Sequence, residues 1–358
     1  MRRPTAPLTV LALALALALA LTGCGAKVAG DGSDPAPGAH HASGRHPAGA
    51  AGHYPVTVEN CGTRTTYDRA PRRVVTNDVG ITEIMFALGL EDRMAGYAMP
   101  DDKGDLDGLP WKAAYDKVPR LSTKPLTKEM VLDARADLVF AGWNYGFGED
   151  TGLTPAALGK LGIGSYVLTE SCHHGTDGSD GTARGVMPPL KALYTDLTTL
   201  GKIFGVEDRA ATLVKKYKKQ VADAADRAPA AAGRPSVFLY DDGRDKPFTS
   251  GRYAGPHDII TKAGGENVMK DLKDSWTTVG WETVVARNPD VIVINNYGDT
   301  SAAQKKAFLE SYAPLAGVPA VKHHRIYVMD YAELVESPRN PAAIGDLARY
   351  LRGVRAGG

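Results

Sequence analysis

Two distant stretches of the chain repeat one pattern. Residues 128–146 read KEMVLDARADLVFAGWNYG, and residues 281–298 read WETVVARNPDVIVINNYG. In each, an acidic residue (Glu129 or Glu282) follows a helix-start position, and an Asp (Asp137 or Asp290) stands eight residues later. A short apolar run then leads into aromatic and Asn residues. The spacing predicts a short helix feeding a buried strand: Thr127 can cap the first helix, and Pro289 stops the second from continuing. A chain that carries this unit twice is constrained to two similar α/β halves. One Glu in a first helical turn calls for no function, since the helix dipole alone makes it stabilising by roughly 0.3 to 1 kcal/mol. Two in matched settings call for a symmetric explanation.

Strand-like and helix-like segments alternate through the rest of the chain. YPVTVENCGTRTTY reads as a β-hairpin with Gly62 near its turn, RVVTN as a buried strand, ITEIMFALGL as a helix stopped near Gly89, and MAGYA as a strand. LVFAG and SYVLT are strands around the helix TPAALGKLG, whose Pro155 suits a first turn. Beyond the polar loop HHGTDGSDGTARG, the run RAATLVKKYKKQVADAADRA sets Ala210, Leu213, Val214, Tyr217, Val221 and Ala224 on one face. That is an amphipathic helix with a basic outer side. SVFLYD, VIVINN and RIYVMD then read as strands, PHDIITKAGG and PAAIGDLARYLRGV as helices. The expected fold is α/β, with lobes at 54–205 and 233–358, each a mainly parallel sheet flanked by helices, joined by a long helix within 206–232.

The first residues bear on the compartment. Arg2 and Arg3 precede LTVLALALALALALT, an apolar run of signal-peptide length and short for a membrane span. Leu21, Thr22, Gly23 and Cys24 resemble the lipobox of exported lipoproteins, so residues 1–23 are expected to be removed and Cys24 lipidated. Residues 24–53 are rich in Gly, Ala, Ser, Pro and His and read as a flexible tether. The expected location is the cell membrane, lipid-anchored on the extracytoplasmic side. Outside the cytoplasm, the remaining Cys61 and Cys172 tend to pair, two free thiols being the alternative. Lys plus Arg number 42 against 41 Asp plus Glu, which leaves no basic excess for nucleic acid.

Several further stretches, in order and spacing, resemble one family. They are PRRVVTNDVGITEIMFALGLEDRMAGY, KEMVLDARADLVF and LGKIFGVEDRA in the first half. In the second half they are PFTSGRYAGPHDIITKAGGENV, WETVVARNPDVIVI and KHHRIYVMD, followed by ESPRN. From Tyr54 to Leu351 the chain resembles the substrate-binding lipoproteins of ABC importers for ferric siderophores, haem and cobalamin (the Fe/B12 periplasmic-binding domain). The resemblance implies a single stiff helix between the lobes, a ligand cleft between them and only modest closure on binding. It also implies that Glu129 and Glu282 dock onto Arg residues of a permease dimer that works with ATPase subunits. The implied ligand is a ferric siderophore, with cobalamin, haem or another bulky cofactor precursor as the alternative. No resident cofactor is expected, and the chain is expected to be a monomer.

Ligands of open parallel sheets sit beyond the carboxyl ends of the strands. That rule selects Trp143, Asn144, Tyr145 and Phe147 after LVFAG, and Cys172 to Gly175, including His173 and His174, after SYVLT. In the second half it selects Asp241, Asp242, Arg244, Asn295, Tyr297, Asp330 and Tyr331. By the resemblance, Arg252, Tyr253 and Arg339 border the cleft, and Trp276 joins them as an aromatic candidate. Aromatic rings give broad contacts to a bulky chelate, and Arg can fork onto its oxygens. In the repeated unit, then, the Glu129 end is assigned to a permease and the far end, Trp143 to Tyr145, to the ligand.

Other chemistries lack their residues. A bare metal site needs three or four converging ligands, and His173–His174 and His323–His324 supply no such set. The sequence holds no G-x-S-x-G, H-E-x-x-H or G-x-x-x-x-G-K-[ST] motif. Cys172 beside His173 is a poor nucleophile and base pair, because sequence neighbours are seldom positioned for that task. No enzymatic activity is expected.

Overall fold

In the computed structural model the described residues are 52–99, 106, 108–142, 146–149, 151–172, 187–226 and 233–354. The signal segment, Cys24, the tether up to residue 51, Trp143, Asn144, Tyr145, His173 and His174 lie outside them.

The first half opens with the hairpin β1 (Val56–Asn60) and β2 (Thr63–Tyr67). Its turn uses two positive φ angles, 47° at Cys61 and 75° at Gly62, as a tight hairpin requires. Then follow β3 (Val74–Asn77), α1 (Val79–Ala87), β4 (Met94–Ala98), α2 (Lys112–Lys117), β5 (Arg120–Ser122), α3 (Lys128–Asp133), β6 (Leu138–Ala141), α4 (Pro155–Lys160) and β7 (Gly164–Val167). The strands make a parallel sheet of order β5-β4-β3-β6-β7. Two helices come next, α5 (Pro189–Phe204) and α6 (Glu207–Ala225), with Gly205 in the left-handed region between them.

The second half contains β8 (Ser236–Tyr240), β9 (Phe248–Ser250), α7 (Gly255–Lys262), β10 (Glu266–Asn267), β11 (Trp276–Thr278), α8 (Trp281–Arg287), β12 (Val291–Asn296), α9 (Ala302–Ser311), α10 (Pro319–Lys322), β13 (Ile326–Asp330), α11 (Tyr331–Leu334) and α12 (Asn340–Arg352). Its sheet, of order β10-β8-β12-β13, is also parallel, and β9 pairs antiparallel with β11 beside it.

The central strands of both sheets are buried on both faces, as their continuous apolar runs demand. Val237, Leu239, Val291 and Val293 face one core, while Phe238, Tyr240, Ile292 and Ile294 face another. Alternation does the same in the first sheet, with Val74, Leu138 and Phe140 opposite Val75, Val139 and Ala141. Helix α6 belongs to both halves. Ala210, Leu213, Val214 and Tyr217 pack in the first core, and Val221 and Ala224 in the second. Helix α5 runs beside it in the same way: Leu193, Leu197 and Leu200 lie in the first core and Leu190 in the second. The strut between the lobes is thus α6 buttressed by α5.

The repeated unit acquires a physical basis here. Asp137 accepts the backbone N–H groups of Arg72 and Arg73, at 2.8 and 2.9 Å, at the entry to β3. Asp290 does the same for β8, accepting from the N–H and hydroxyl of Ser236, both at 2.8 Å. Each Asp therefore clamps the start of the neighbouring strand. Each helix of the unit runs back along the strand it feeds, so its N-terminus lies at the carboxyl rim of the sheet. Leu126, just before α3, donates to Asn77 Oδ1 at the end of β3 (2.9 Å), and Trp281 Nε1 donates to Arg244 O beyond β8 (2.7 Å). In the second copy the two ends of the unit, Glu282 and Tyr297, therefore fold onto one rim.

Cys61 and Cys172 are bonded, with Cα atoms 5.3 Å apart. Beside the bond, Asn60 exchanges two 2.8 Å hydrogen bonds with the backbone of Val167. Together they fasten the hairpin to the edge strand β7, whose outer backbone groups would otherwise lack a sheet partner.

Candidate ligand cleft

The carboxyl ends of the two sheets meet. Tyr331, just past β13, donates its hydroxyl to Asp78 Oδ2, just past β3, at 3.1 Å. Around this contact an apolar, aromatic-rich cluster draws on both halves. Val79, Phe86, Tyr97, Met99, Tyr115 and Trp111 come from the first, and Trp276, Tyr297, Tyr331 and Val335 from the second. Tyr297 stacks on Tyr331 with centroids 4.4 Å apart, and Trp276 stacks on Phe248 at 5.8 Å. Of the sequence candidates, Trp276, Tyr297 and Tyr331 are therefore brought together. Trp111, Met99, Leu106 and Leu109 join them. They follow MAGYA, a strand whose carboxyl end carries the same signal as LVFAG and SYVLT.

Other candidates have different surroundings. Phe147 is half-buried against the first-half core. Arg244 is exposed and lies over the Phe308 ring at 5.5 Å, and Arg252 is exposed over its neighbour Tyr253 at 5.7 Å. Asn295 is buried, donating to Asp241 Oδ1 at 2.8 Å while its carbonyl accepts from Lys305 Nζ at 2.9 Å. Lys305 is itself fully buried on α9 and also holds the Tyr297 carbonyl at 2.8 Å. Burial raises the Asp241 carboxyl to about 6 against the favourable charge of Lys305, and burial lowers the lysine. Asn295 and Tyr297 thus share one support, the Lys305 ammonium.

Arg339 stands at the junction of the two halves, beside the cleft cluster. It is buried, and its Nε lies 3.0 and 2.9 Å from the two carboxylate oxygens of Glu83, which its Nη2 also bonds. Tyr115 donates to the same carboxylate at 2.9 Å. With Nε and Nη2 on Glu83 and Nη1 3.7 Å from Asp330, Arg339 ties the second lobe to the first. Glu83 has a legible signal: α1 is apolar all round, so it must be buried on every side. Ile81, Ile84 and Met85 face the first core, and Val79 and Phe86 the cleft cluster.

Deeper in the junction, Glu336 N–H donates to Glu170 Oε2 at 2.5 Å, and Glu170 N–H donates to Glu336 Oε2 at 2.8 Å. Two glycines admit this approach. A Cβ on Gly80 would stand 2.5 Å from Glu336 O, and one on Gly255 would stand 2.4 Å from Leu334 O. Burial pushes Glu170 up to about 8, helped by the charges of Asp78 and Asp258 and opposed by the Glu336 N–H. Burial, then the charges of Asp196 and Glu170, hold Glu336 well above the usual carboxylate range. Asp196 is raised to about 6 by burial, although Thr169 and Tyr166 donate to it.

At the rim, Glu129 and Glu282 are exposed in the first turns of α3 and α8. The Glu129 carboxyl is lowered by its own backbone N–H and by the Thr127 hydroxyl. Among the described residues, no three His, Cys, Asp or Glu side chains converge as metal ligands, and no helix is long and apolar enough to cross a membrane.

This arrangement recurs in known proteins. A solved periplasmic binding protein from Veillonella parvula superposes with a TM-score of 0.70 at 27% identity, covering 84% of this chain and 98% of that one. An ABC-type Fe3+-hydroxamate transport protein from Saccharomonospora viridis gives 0.68 at 23% identity, covering 83% and 99%. An ABC transporter substrate-binding lipoprotein of Bacillus subtilis is 24% identical over 307 residues, 83% of this chain and 86% of its own length. Residues 74–332, which hold both sheets and the strut between them, match the model of the periplasmic binding proteins, and the chain belongs to that family.

Proposed function

We propose that this chain is the lipid-anchored, extracytoplasmic binding component of an ABC importer. It takes a ferric siderophore between its lobes and hands it to a permease dimer that docks on Glu129 and Glu282. Residues 54–205 and 233–358 act as the lobes and 206–232 as the strut. The observation that carries this reading is the shared rim. Both exposed glutamates and the carboxyl ends of both sheets lie on one side, as transfer of a ligand from cleft to permease requires. The aromatic cluster of Trp276, Tyr297, Tyr331 and Trp111 suits a broad, partly apolar ligand. The Fe3+-hydroxamate transport protein of similar fold favours an iron chelate.

The test is a binding screen with a ferric hydroxamate siderophore, cobalamin and haem, read by quenching of Trp276 and by mass spectrometry of the recovered ligand. Stoichiometric quenching by the ferric siderophore, with the ligand returned unchanged, is expected. Saturable binding of cobalamin or haem alone would move the substrate to the alternative class, and turnover of any ligand would refute a pure binding role. For docking, Glu129→Ala with Glu282→Ala should abolish uptake while ligand affinity stays intact. Loss of ligand affinity in step with uptake would overturn the docking role.

A further inference from the structure

Large aliphatic side chains that stand well exposed are few. Among the described residues they are Leu132 at 45%, Leu161 at 48%, Val285 at 38% and Val328 at 41%. A lone exposed aliphatic needs no explanation. Two of these four, however, hold one position in the repeated unit. Leu132 lies three residues after Glu129, and Val285 three residues after Glu282. Residues three apart on a helix share a face. From each Glu onward the two helices repeat one order of exposure: exposed, half-buried, buried, exposed, exposed. The buried member, Val131 or Val284, is fully covered, and it rolls the helix so that Glu and aliphatic both point outward.

The carboxylates are matched too. The Glu129 carboxyl is lowered by its own backbone N–H and the Thr127 hydroxyl, and a Cβ added to Gly280 would lie 1.8 Å from Glu282 Oε1, so that carboxylate is folded over its own helix start. Each lobe therefore presents an acidic group settled on a helix end with an aliphatic side chain one turn behind it.

Resting on the docking reading above, we propose that Leu132 and Val285 are apolar anchors of the permease interface. They form, with Glu129 and Glu282, two equivalent patches for a two-fold symmetric partner. The chemistry of each socket follows: a cationic side chain for the Glu, bordered by an apolar surface for the Leu or Val. Magnitudes favour this pairing. An ion pair left in water contributes little, and two such pairs would hold a receptor poorly. An apolar neighbour that excludes water adds burial and strengthens the pair it shields.

The test uses the full chain and, as probe, the detergent-solubilised permease–ATPase complex whose co-expression supports uptake, with Kd measured over a range of salt. Leu132→Ser with Val285→Ser should weaken binding about tenfold or more while leaving the salt slope unchanged. Glu129→Ala with Glu282→Ala should weaken binding and flatten the salt slope. Leu161→Ser with Val328→Ser should have no effect, and Leu132→Ile with Val285→Ile should bind like the parent, which guards against a folding defect. If the Leu132 and Val285 serine variant binds like the parent while the Glu variant fails, the anchors are overturned and the docking reading stands. If the Glu variant also binds like the parent, both fall. Equal weakening by the Leu161 and Val328 variant would likewise overturn the anchors.

Discussion

Glu170 and Glu336 exchange hydrogen bonds across the lobe junction, each carboxylate accepting the other's backbone N–H at 2.5 and 2.8 Å. They stand in matching runs, LTES at 168–171 and LVES at 334–337, so the repetition of the chain extends to its pivot. Both are buried, with Asp196 a third buried carboxyl beside them.

This cluster makes stability depend on pH. Glu170 is raised to about 8 and Glu336 is raised as well, so the folded chain binds more protons than the unfolded chain above the ordinary carboxylate range. Stability from these groups is fully present below their unfolded values and is lost as pH rises, for Glu170 through about 8. The midpoint of urea unfolding should therefore fall from pH 6 to pH 9. Glu170→Gln keeps an acceptor for the Glu336 N–H and cannot ionise, so its decline should be shallower. Parallel slopes in parent and variant would remove Glu170 from this role.

The buried pair of Glu83 and Arg339 makes a separate prediction. Removing one partner leaves a buried charge without its counter-ion, a loss of about 3 to 5 kcal/mol, whereas replacing both with apolar groups is often near neutral. Arg339→Ala should thus lower unfolding stability by that amount, and Glu83→Leu with Arg339→Met should recover most of it. If the double variant is no better than the single, the pair contributes through geometry that apolar packing cannot replace.

Much of this architecture was legible because it rests on local patterns. The strands RVVTN, LVFAG, SVFLYD and VIVINN and the α6 stripe followed from periodicity alone, and the tendency of extracytoplasmic thiols to pair anticipated the bond between Cys61 and Cys172. What escaped are contacts between residues far apart in the chain. Glu83 lies 256 residues from Arg339, and nothing local says that their charges meet. Strand-end position selects Asn295 but does not tell an open side chain from one already bonded, and the resemblance that sets Arg339 at the cleft border does not name Glu83 as its partner. The shared rim escaped for a related reason, since a helix and the strand it feeds run in opposite directions and bring the ends of the unit together.

The disulfide closes a span of 111 residues. In the chain-entropy model a loop of that size stabilises by roughly 4 to 5 kcal/mol. Reduction, or Cys61→Ser with Cys172→Ser, should lower the unfolding midpoint accordingly. It should also expose the hairpin to protease, because Asn60 would then be left to hold it on β7. An unchanged cleavage pattern would show that Asn60 and the hairpin's packing suffice.

Lys305 links the second core to the cleft. Its ammonium donates to the Asn295 and Tyr297 carbonyls at 2.9 and 2.8 Å, and its charge favours the ionised form of Asp241. Lys305→Met preserves much of the side-chain length but leaves both carbonyls without that donor and Asp241 without a nearby cation. Stability should fall by about 2 to 4 kcal/mol. Tyr297, released from its anchor, should stack less firmly on Tyr331, and ligand affinity should fall about tenfold. Measuring both quantities separates two roles for the lysine. Reduced stability with unchanged affinity would place Tyr297 outside the binding surface, whereas a loss of affinity in conditions where the variant stays folded would place it within.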